Sequence, residues 1–272
     1  MSFFKQFPII DYDLNKDGQI NKQVNIFRSV RLVQDFVDNP SLYRYYDIQN
    51  GERPDIVSQR LYGTPEFYWT FFVVNEFLHD GLKVWPLSQE ALAKYIDKEY
   101  EGYAIVTYPR VSDGLANSIA GKFRLGETIT GGTSGATGTL TKKIIDMNQL
   151  IVQDVSNGPY LGKGLFQNNI AETIVGNEST DSVFTFEVFD YAEAPHYYYI
   201  KDENGVERQY TSALHVDTDG AQGTNLLSYE SNRQHFYHMN EERSKIRVIN
   251  PDKIGEFVET FERLINEWYI TK

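Results

Sequence analysis

The amino-acid sequence predicts an α+β protein: a βααβ core completed by N- and C-terminal segments, with a small all-β barrel or sandwich inserted into it. Three observations predict it. Tyr45 to Asn75 changes hydrophobic period twice and punctuates each change. From Val111 to Phe189 helical periodicity is scarce, and short β-runs alternate with Gly, Thr and Ser. From Tyr191 the earlier style resumes and closes on an amphipathic helix. The expected divisions are 1–44, an N-terminal arm and helix; 45–110, the core; 111–190, the inserted all-β domain; and 191–272, a hairpin, strand and helix completing the core. With 272 residues and 41% hydrophobic content, two domains can each bury a real core.

The N-terminus opens with Phe3, Phe4, Phe7, Ile9 and Ile10, an apolar end that frays unless it docks on the core or on a neighbour. Asp13, Asn15, Asp17, Gly18 and Ile20 follow the opening of an EF-hand loop. Position twelve is Val24, which lacks the closing bidentate Glu, so a turn feeding a strand is expected. Apolar residues at Ile26, Phe27, Val30, Val33, Phe36 and Val37 predict a helix ended by Asp38-Asn39-Pro40.

In the core, Tyr45, Tyr46 and Ile48 form a strand before the turn at Gln49-Asn50-Gly51. Pro54 opens a helix with Ile56, Val57 and Leu61 on its apolar face, and Gly63 stops it. Thr64-Pro65-Glu66 repeats the start signal for a second helix over 67–74, apolar nearly all round and hence buried. Leu82 to Trp85 is placed as the returning strand. Ser88 caps a helix to about Tyr100, and Tyr103 to Tyr108 is a strand.

Within the insert, Glu127-Thr128-Ile129-Thr130-Gly131 returns 45 residues later as Glu172-Thr173-Ile174-Val175-Gly176, and Ser134 returns as Ser179. This supports a barrel or sandwich with strands near 122–129, 137–145, 149–155, 172–175 and 182–189. Closely spaced N–H groups in the Gly-rich stretch 131–139 can cradle an anion. A P-loop would continue with Lys and a helix, however, whereas Thr139-Leu140-Thr141 continues as a strand, so a hairpin or barrel loop is expected. Farther on, Asp202-Glu203-Asn204-Gly205 between apolar runs predicts a hairpin. A helix from about Leu226 to Glu242 and a strand at Lys245 to Ile249 follow. In the last helix Asn250 caps, Pro251 is at N1, and Ile254, Phe257, Val258, Phe261, Leu264, Ile265 and Trp268 form a stripe that the core or another subunit must cover.

Composition narrows the function. A net charge of −12 gives DNA phosphate no basic surface, so nucleic acid is not an expected partner. The absence of cysteine removes disulfides and thiolate chemistry. The first residues lack the h-region of a signal peptide, which points to synthesis in a cytoplasm, and no apolar run is long enough to suggest a membrane span. His79, His196, His215, His235 and His238 show no metal-ligand spacing, although His235 and His238 can share a helix face. No Gly-x-Ser-x-Gly elbow or distinguished carboxylate pair is present. We therefore expect no catalytic, metal or cofactor residues and no enzyme activity.

Tyr46-x-Ile48, Gly51-Glu52, the helix through Val57, Leu61-Tyr62-Gly63-Thr64 and Asn75 resemble a LysM module, a βααβ glycan-binding unit. Phe67, Tyr68, Trp69, Phe71 and Phe72 exceed what such a module covers alone. A closer resemblance is to the LysM-like baseplate wedge subunits of T-even-type contractile-tail bacteriophages. It is carried by Asn25-Ile26-Phe27-Arg28, Gly51-x-x-Pro54, Leu61-Tyr62-Gly63-Thr64-Pro65-x-x-Tyr68-Trp69 and Ser88-Gln89-Glu90-Ala91. Glu203-Asn204-Gly205 and the segment Arg243 to Leu264 continue it, and 111–190 lies outside it. The resemblance implies a structural protein of the virion tail baseplate that binds wedge and sheath-proximal tail proteins. It further implies several copies in a six-fold assembly, joining wedges into a ring. The expected protein-interface residues are Phe3, Phe4, Phe7, Phe27, Tyr45, Tyr62, Tyr68, Trp69, Phe72, Trp85, Phe257, Phe261 and Trp268. The alternative is a LysM-type protein binding peptidoglycan or chitin, with Gly51-Glu52 and Gly63-Thr64-Pro65 near the sugar.

Overall fold

The computed structural model describes residues 7–14, 16, 18–25, 40–108, 118–162, 171–201, 205–210 and 228–267. In chain order its strands are β1 (Ile9–Tyr12), β2 (Asn21–Val24), β3 (Tyr43–Asp47), β4 (Tyr103–Thr107), β5 (Thr128–Gly131), β6 (Thr137–Ile144) and β7 (Gln149–Ser156). There follow β8 (Thr173–Gly176), β9 (Ser182–Asp190), β10 (Pro195–Lys201), β11 (Glu207–Tyr210), β12 (Ser228–Ser231) and β13 (Lys245–Ile249). The α-helices are α1 (Pro54–Tyr62), α2 (Trp69–Val74), α3 (Gln89–Glu99), α4 (Asn232–Ser244) and α5 (Ile254–Glu267). The fold is thus mixed helix and sheet. It divides into two units, one of Met1–Ala91 with Met239–Lys272 and one of Leu92–His238.

In the first unit β1 and β2 pair antiparallel, with Ile9 opposite Val24. Gly18, at φ 82°, gives its N–H to Asp13 Oδ2 at 2.8 Å, so the Asp-rich stretch is a turn feeding β2; Asn15 and Asp17 lie outside the described residues. α1 begins on Pro54 and ends at Gly63 (φ 73°), whose N–H bonds the Gln59 carbonyl at 3.0 Å. Ile56 departs from its expected buried face and is 49% exposed, whereas Val57 is buried. The second start signal produces a 3₁₀ turn, Pro65–Phe67, capped by Thr64, and α2 only from Trp69.

The expected returning strand at 82–85 is corrected: Gly81–Val84 is a 3₁₀ turn. The edge of β3 is taken instead by β13, from Ile249 opposite Tyr43 to Lys245 opposite Asp47. Turning the chain at 81–84 lets the Trp85 indole N–H reach the Glu52 carbonyl at 2.8 Å. Two apolar clusters fill the unit. Ile48, Val57, Phe71, Leu78, Trp85, Ile246 and Val248 form one, and Phe7, Trp69, Ile249, Phe257, Phe261 and Ile265 the other. Asn250 does not cap the last helix by its side chain; its Nδ2 bonds the Ser41 carbonyl at 2.6 Å, and a 3₁₀ turn at Pro251–Lys253 leads into α5.

In the second unit the strands close a six-stranded barrel in the order β4-β7-β6-β5-β8-β9, around Ile105, Ile129, Leu140, Leu150, Val152 and Ile174. Its first strand, Tyr103–Thr107, comes from ahead of the compositional change at 111. The strand expected near 122–129 begins only at Thr128. Phe123 has φ 59°, which breaks strand geometry; its N–H bonds Asp181 Oδ2 at 2.8 Å, and Lys143 Nζ reaches the carbonyls of Ala120, Lys122 and Phe123. The 131–136 stretch is a barrel loop between β5 and β6.

A three-stranded sheet, β11-β10-β12, carries the expected hairpin, with Lys201 opposite Glu207; residues 202–204 of its turn lie outside the described residues. The helix expected from Leu226 starts later. Ser228–Ser231 pairs with β10, and a reciprocal capping box sets the start of α4: Gln234 N–H bonds Ser231 Oγ and Ser231 N–H bonds Gln234 Oε1. Among the described residues no helix is long and apolar enough to cross a membrane.

Candidate protein interface

Burial decides which aromatic side chains are free to meet a partner. Phe7, Trp69, Trp85, Phe257 and Phe261 are each at most 7% exposed and pack inside the first unit. Trp69 lies between Phe257 and Phe261, with ring centroids at 6.2 and 4.7 Å. Tyr62 is half-buried, stacks on Phe71 and gives its hydroxyl to the Ile249 carbonyl at 3.0 Å. Phe72 is half-buried against Trp85 at 5.7 Å. Tyr45 is 68% exposed, and Tyr68 also lies at the surface. Phe3, Phe4, Phe27 and Trp268 lie outside the described residues.

The exposed apolar face of the β1-β2 hairpin is not among the expected interface residues. Phe7 docks in the core, but Ile9, Tyr12, Leu14, Ile20 and Val24 remain exposed, between 41% and 71%. Two four-residue strands cannot bury such side chains between themselves. The signal in the sequence was the run of apolar residues on both sides of an Asp-rich turn, too short for periodicity to separate inward from outward positions. Phe77, Leu82 and Leu87 are further exposed apolar residues of this unit.

The polar groups near these positions are engaged within the chain. Glu52 Oε2 accepts from the Tyr46 hydroxyl at 2.8 Å and from Gln49 N–H at 3.0 Å, and Arg60 lies 2.6 Å from Oε1. Burial, reinforced by the Glu52 carboxylate, pushes the Tyr46 hydroxyl up. Asn75, 3% exposed, bonds the backbone of Arg247 in both directions, at 2.8 and 2.9 Å, and so ties the end of α2 to β13.

In the second unit His235 and His238 do share a face, and both turn Nδ1 to Glu230, at 3.2 and 3.4 Å. Glu230 also accepts from Tyr197 at 2.7 Å, and its carboxyl sits below the usual range because hydrogen bonds from Tyr197 and His235, with the nearby histidines, outweigh burial. His196 stacks on His235 with ring centroids 3.9 Å apart, and burial pushes its imidazole down. His215 lies outside the described residues, among which no cluster of three or more His, Asp or Glu side chains is arranged to hold a metal.

No curated protein matches the chain. Residues 1–108 match the model of a phage family described as base plate wedge protein 53, a stretch that takes in the β1-β2 hairpin, β3, α1 to α3 and β4.

Proposed function

We propose that this chain is a structural subunit of a phage tail baseplate wedge, held by contacts with neighbouring baseplate proteins. The match of residues 1–108 to a baseplate wedge family carries the reading. The exposed apolar hairpin within those residues supports it, since such side chains on two short strands call for a covering surface. In this reading β3, α1, α2 and β13 form a LysM-like βααβ arrangement whose second strand comes from the C-terminal segment. The contact surface combines the hairpin with Tyr45, Tyr68 and the exposed parts of Tyr62 and Phe72. The subunit occupies the tail baseplate in several copies and helps join six wedges into a ring. The engagement of Glu52 by Tyr46, Gln49 and Arg60 argues against its use in holding a sugar.

Co-expression with the other baseplate proteins tests this. Wild-type chain is expected to co-purify with a wedge component, and Ile9→Asp with Ile20→Asp to lose that association while melting at the wild-type temperature. Saturable pelleting with peptidoglycan, with no tail protein bound, would overturn the proposal in favour of glycan binding.

A further inference from the structure

The repeat in the insert extends to its hydrogen bonds. At a constant offset of 45 residues, Gly131 N–H to Ala136 O matches Gly176 N–H to Asp181 O, and Gly135 N–H to Gly131 O matches Thr180 N–H to Gly176 O. Likewise Leu140 N–H to Glu127 O matches Thr185 N–H to Glu172 O. Gly135 and Thr180, at φ 72° and 59°, share the left-handed conformation, although a threonine rarely adopts it. β5 and β8 are adjacent and antiparallel, with Thr130 opposite Val175, its own counterpart in the repeat. An internal two-fold axis demands that self-pairing.

The side chains then cross over. Glu127, 1% exposed, accepts from the N–H groups of Glu178 and Ser179 at 3.0 and 2.9 Å, from Ser179 Oγ at 2.9 Å and from Arg124 N–H at 2.6 Å. Glu172, 1% exposed, accepts from the N–H groups of Thr133 and Ser134 at 3.0 and 2.8 Å, from Ser134 Oγ at 2.9 Å and from Leu161 N–H at 2.6 Å. The anion in the Gly-rich cradle is therefore a carboxylate of the protein itself. Gly131 and Gly176 leave room for it: a Cβ would stand 2.7 Å from Glu172 Oε2 at the first and 2.7 Å from Glu127 Oε1 at the second.

We infer that the barrel is an internal pseudo-dimer, one unit of 45 residues present twice about a two-fold axis between Thr130 and Val175, each copy's loop locked by the other copy's glutamate. Glu127 is the latch of the 176–181 loop and Glu172 that of the 131–136 loop. Neither holds the loop that follows it in the chain.

Residue-resolved hydrogen exchange on the full chain reads the crossing. In Glu127→Gln the amide NH₂ meets donors where a carboxylate met them, so exchange at Glu178 and Ser179 is expected to quicken roughly tenfold or more while Thr133 and Ser134 keep wild-type rates. Glu172→Gln is expected to do the converse. Quickening in the variant's own following loop, or in neither loop, overturns the inference. Should a glutamine variant fail to fold, the wild-type protein gives the same answer. Burial pushes the Glu127 carboxyl up, but hydrogen bonds from Ser179, Arg124 and Glu178 together outweigh it and hold it below the usual range. The amide resonance of Ser179 is then expected to follow a titration midpoint below that of an ordinary Glu. An ordinary midpoint, or none, overturns the inference.

Discussion

Glu127 and Glu187 are both nearly buried in the second unit, and their neighbours give them opposite pH behaviour. Glu127 is surrounded by donors, so its stabilising contribution is present above the unfolded carboxyl range and is lost as pH falls through its depressed folded value. Glu187 is pushed up by burial. Its contribution is present below the unfolded range and is lost as pH rises through the raised folded value, because the charged form must be carried where water is excluded. Glu187→Gln is therefore expected to raise the melting temperature at neutral pH relative to wild type and to flatten the loss of stability from acid to neutral pH. A melting curve with the same pH dependence in wild type and variant would refute this account of Glu187.

At the scale of elements, one side chain substitutes for a strand. Asn75 sits just after α2, and its amide group reads the backbone of Arg247 on β13 as a neighbouring strand would, through one donated and one accepted hydrogen bond. Asn75→Ala leaves both backbone groups of Arg247 without that partner. The expected cost is roughly 1–3 kcal/mol in chemical denaturation, since an unsatisfied, partly buried polar group costs about that much. The measurement decides between this tie and simple packing: Asn75→Leu, which restores apolar bulk and no hydrogen bond, is expected not to recover the loss. Helix α5 illustrates a different source of stability. Phe257, Phe261 and Ile265 are inserted against Phe7, Trp69 and Ile249, so these three positions of its stripe are covered within the first unit.

At the scale of the whole molecule, the two units differ in how the chain builds them. The second is drawn from the continuous stretch Leu92–His238, while the first needs both ends of the chain, with β3 pairing to β13 across about 200 intervening residues. A chain lacking residues 239–272 is expected to retain slow amide exchange at barrel positions such as Ile129, Leu140 and Ile151 and to lose it at Val57 and Phe71. Retained protection at Val57 and Phe71 would show that the first unit closes without β13.

Much of this architecture was legible because it depends on local chemistry. Gly63 and Pro54 bounded α1, Ser88 preceded α3, and the apolar runs on either side of Asn204-Gly205 paired as a hairpin. The returning strand was not legible at 82–85, because an apolar run of four residues reads alike as strand or turn and β3 chose its partner from the far end of the chain. The start of α4 was written in Ser231 and Gln234, a spacing hidden by the surrounding polar residues. For the candidate interface, sequence identified aromatic side chains but not their exposure: Trp69 and Phe261 face each other, whereas Tyr45 faces solvent. The sequence by itself determined the elements that carry their own start and stop signals, such as α1 and α3, the β character of the insert and the recurrence of Glu127 at Glu172, all set by the residues at hand. The tertiary structure alone decided which strand met β3, which aromatics stayed free and which loop each glutamate held, because those depend on partners far apart in the chain.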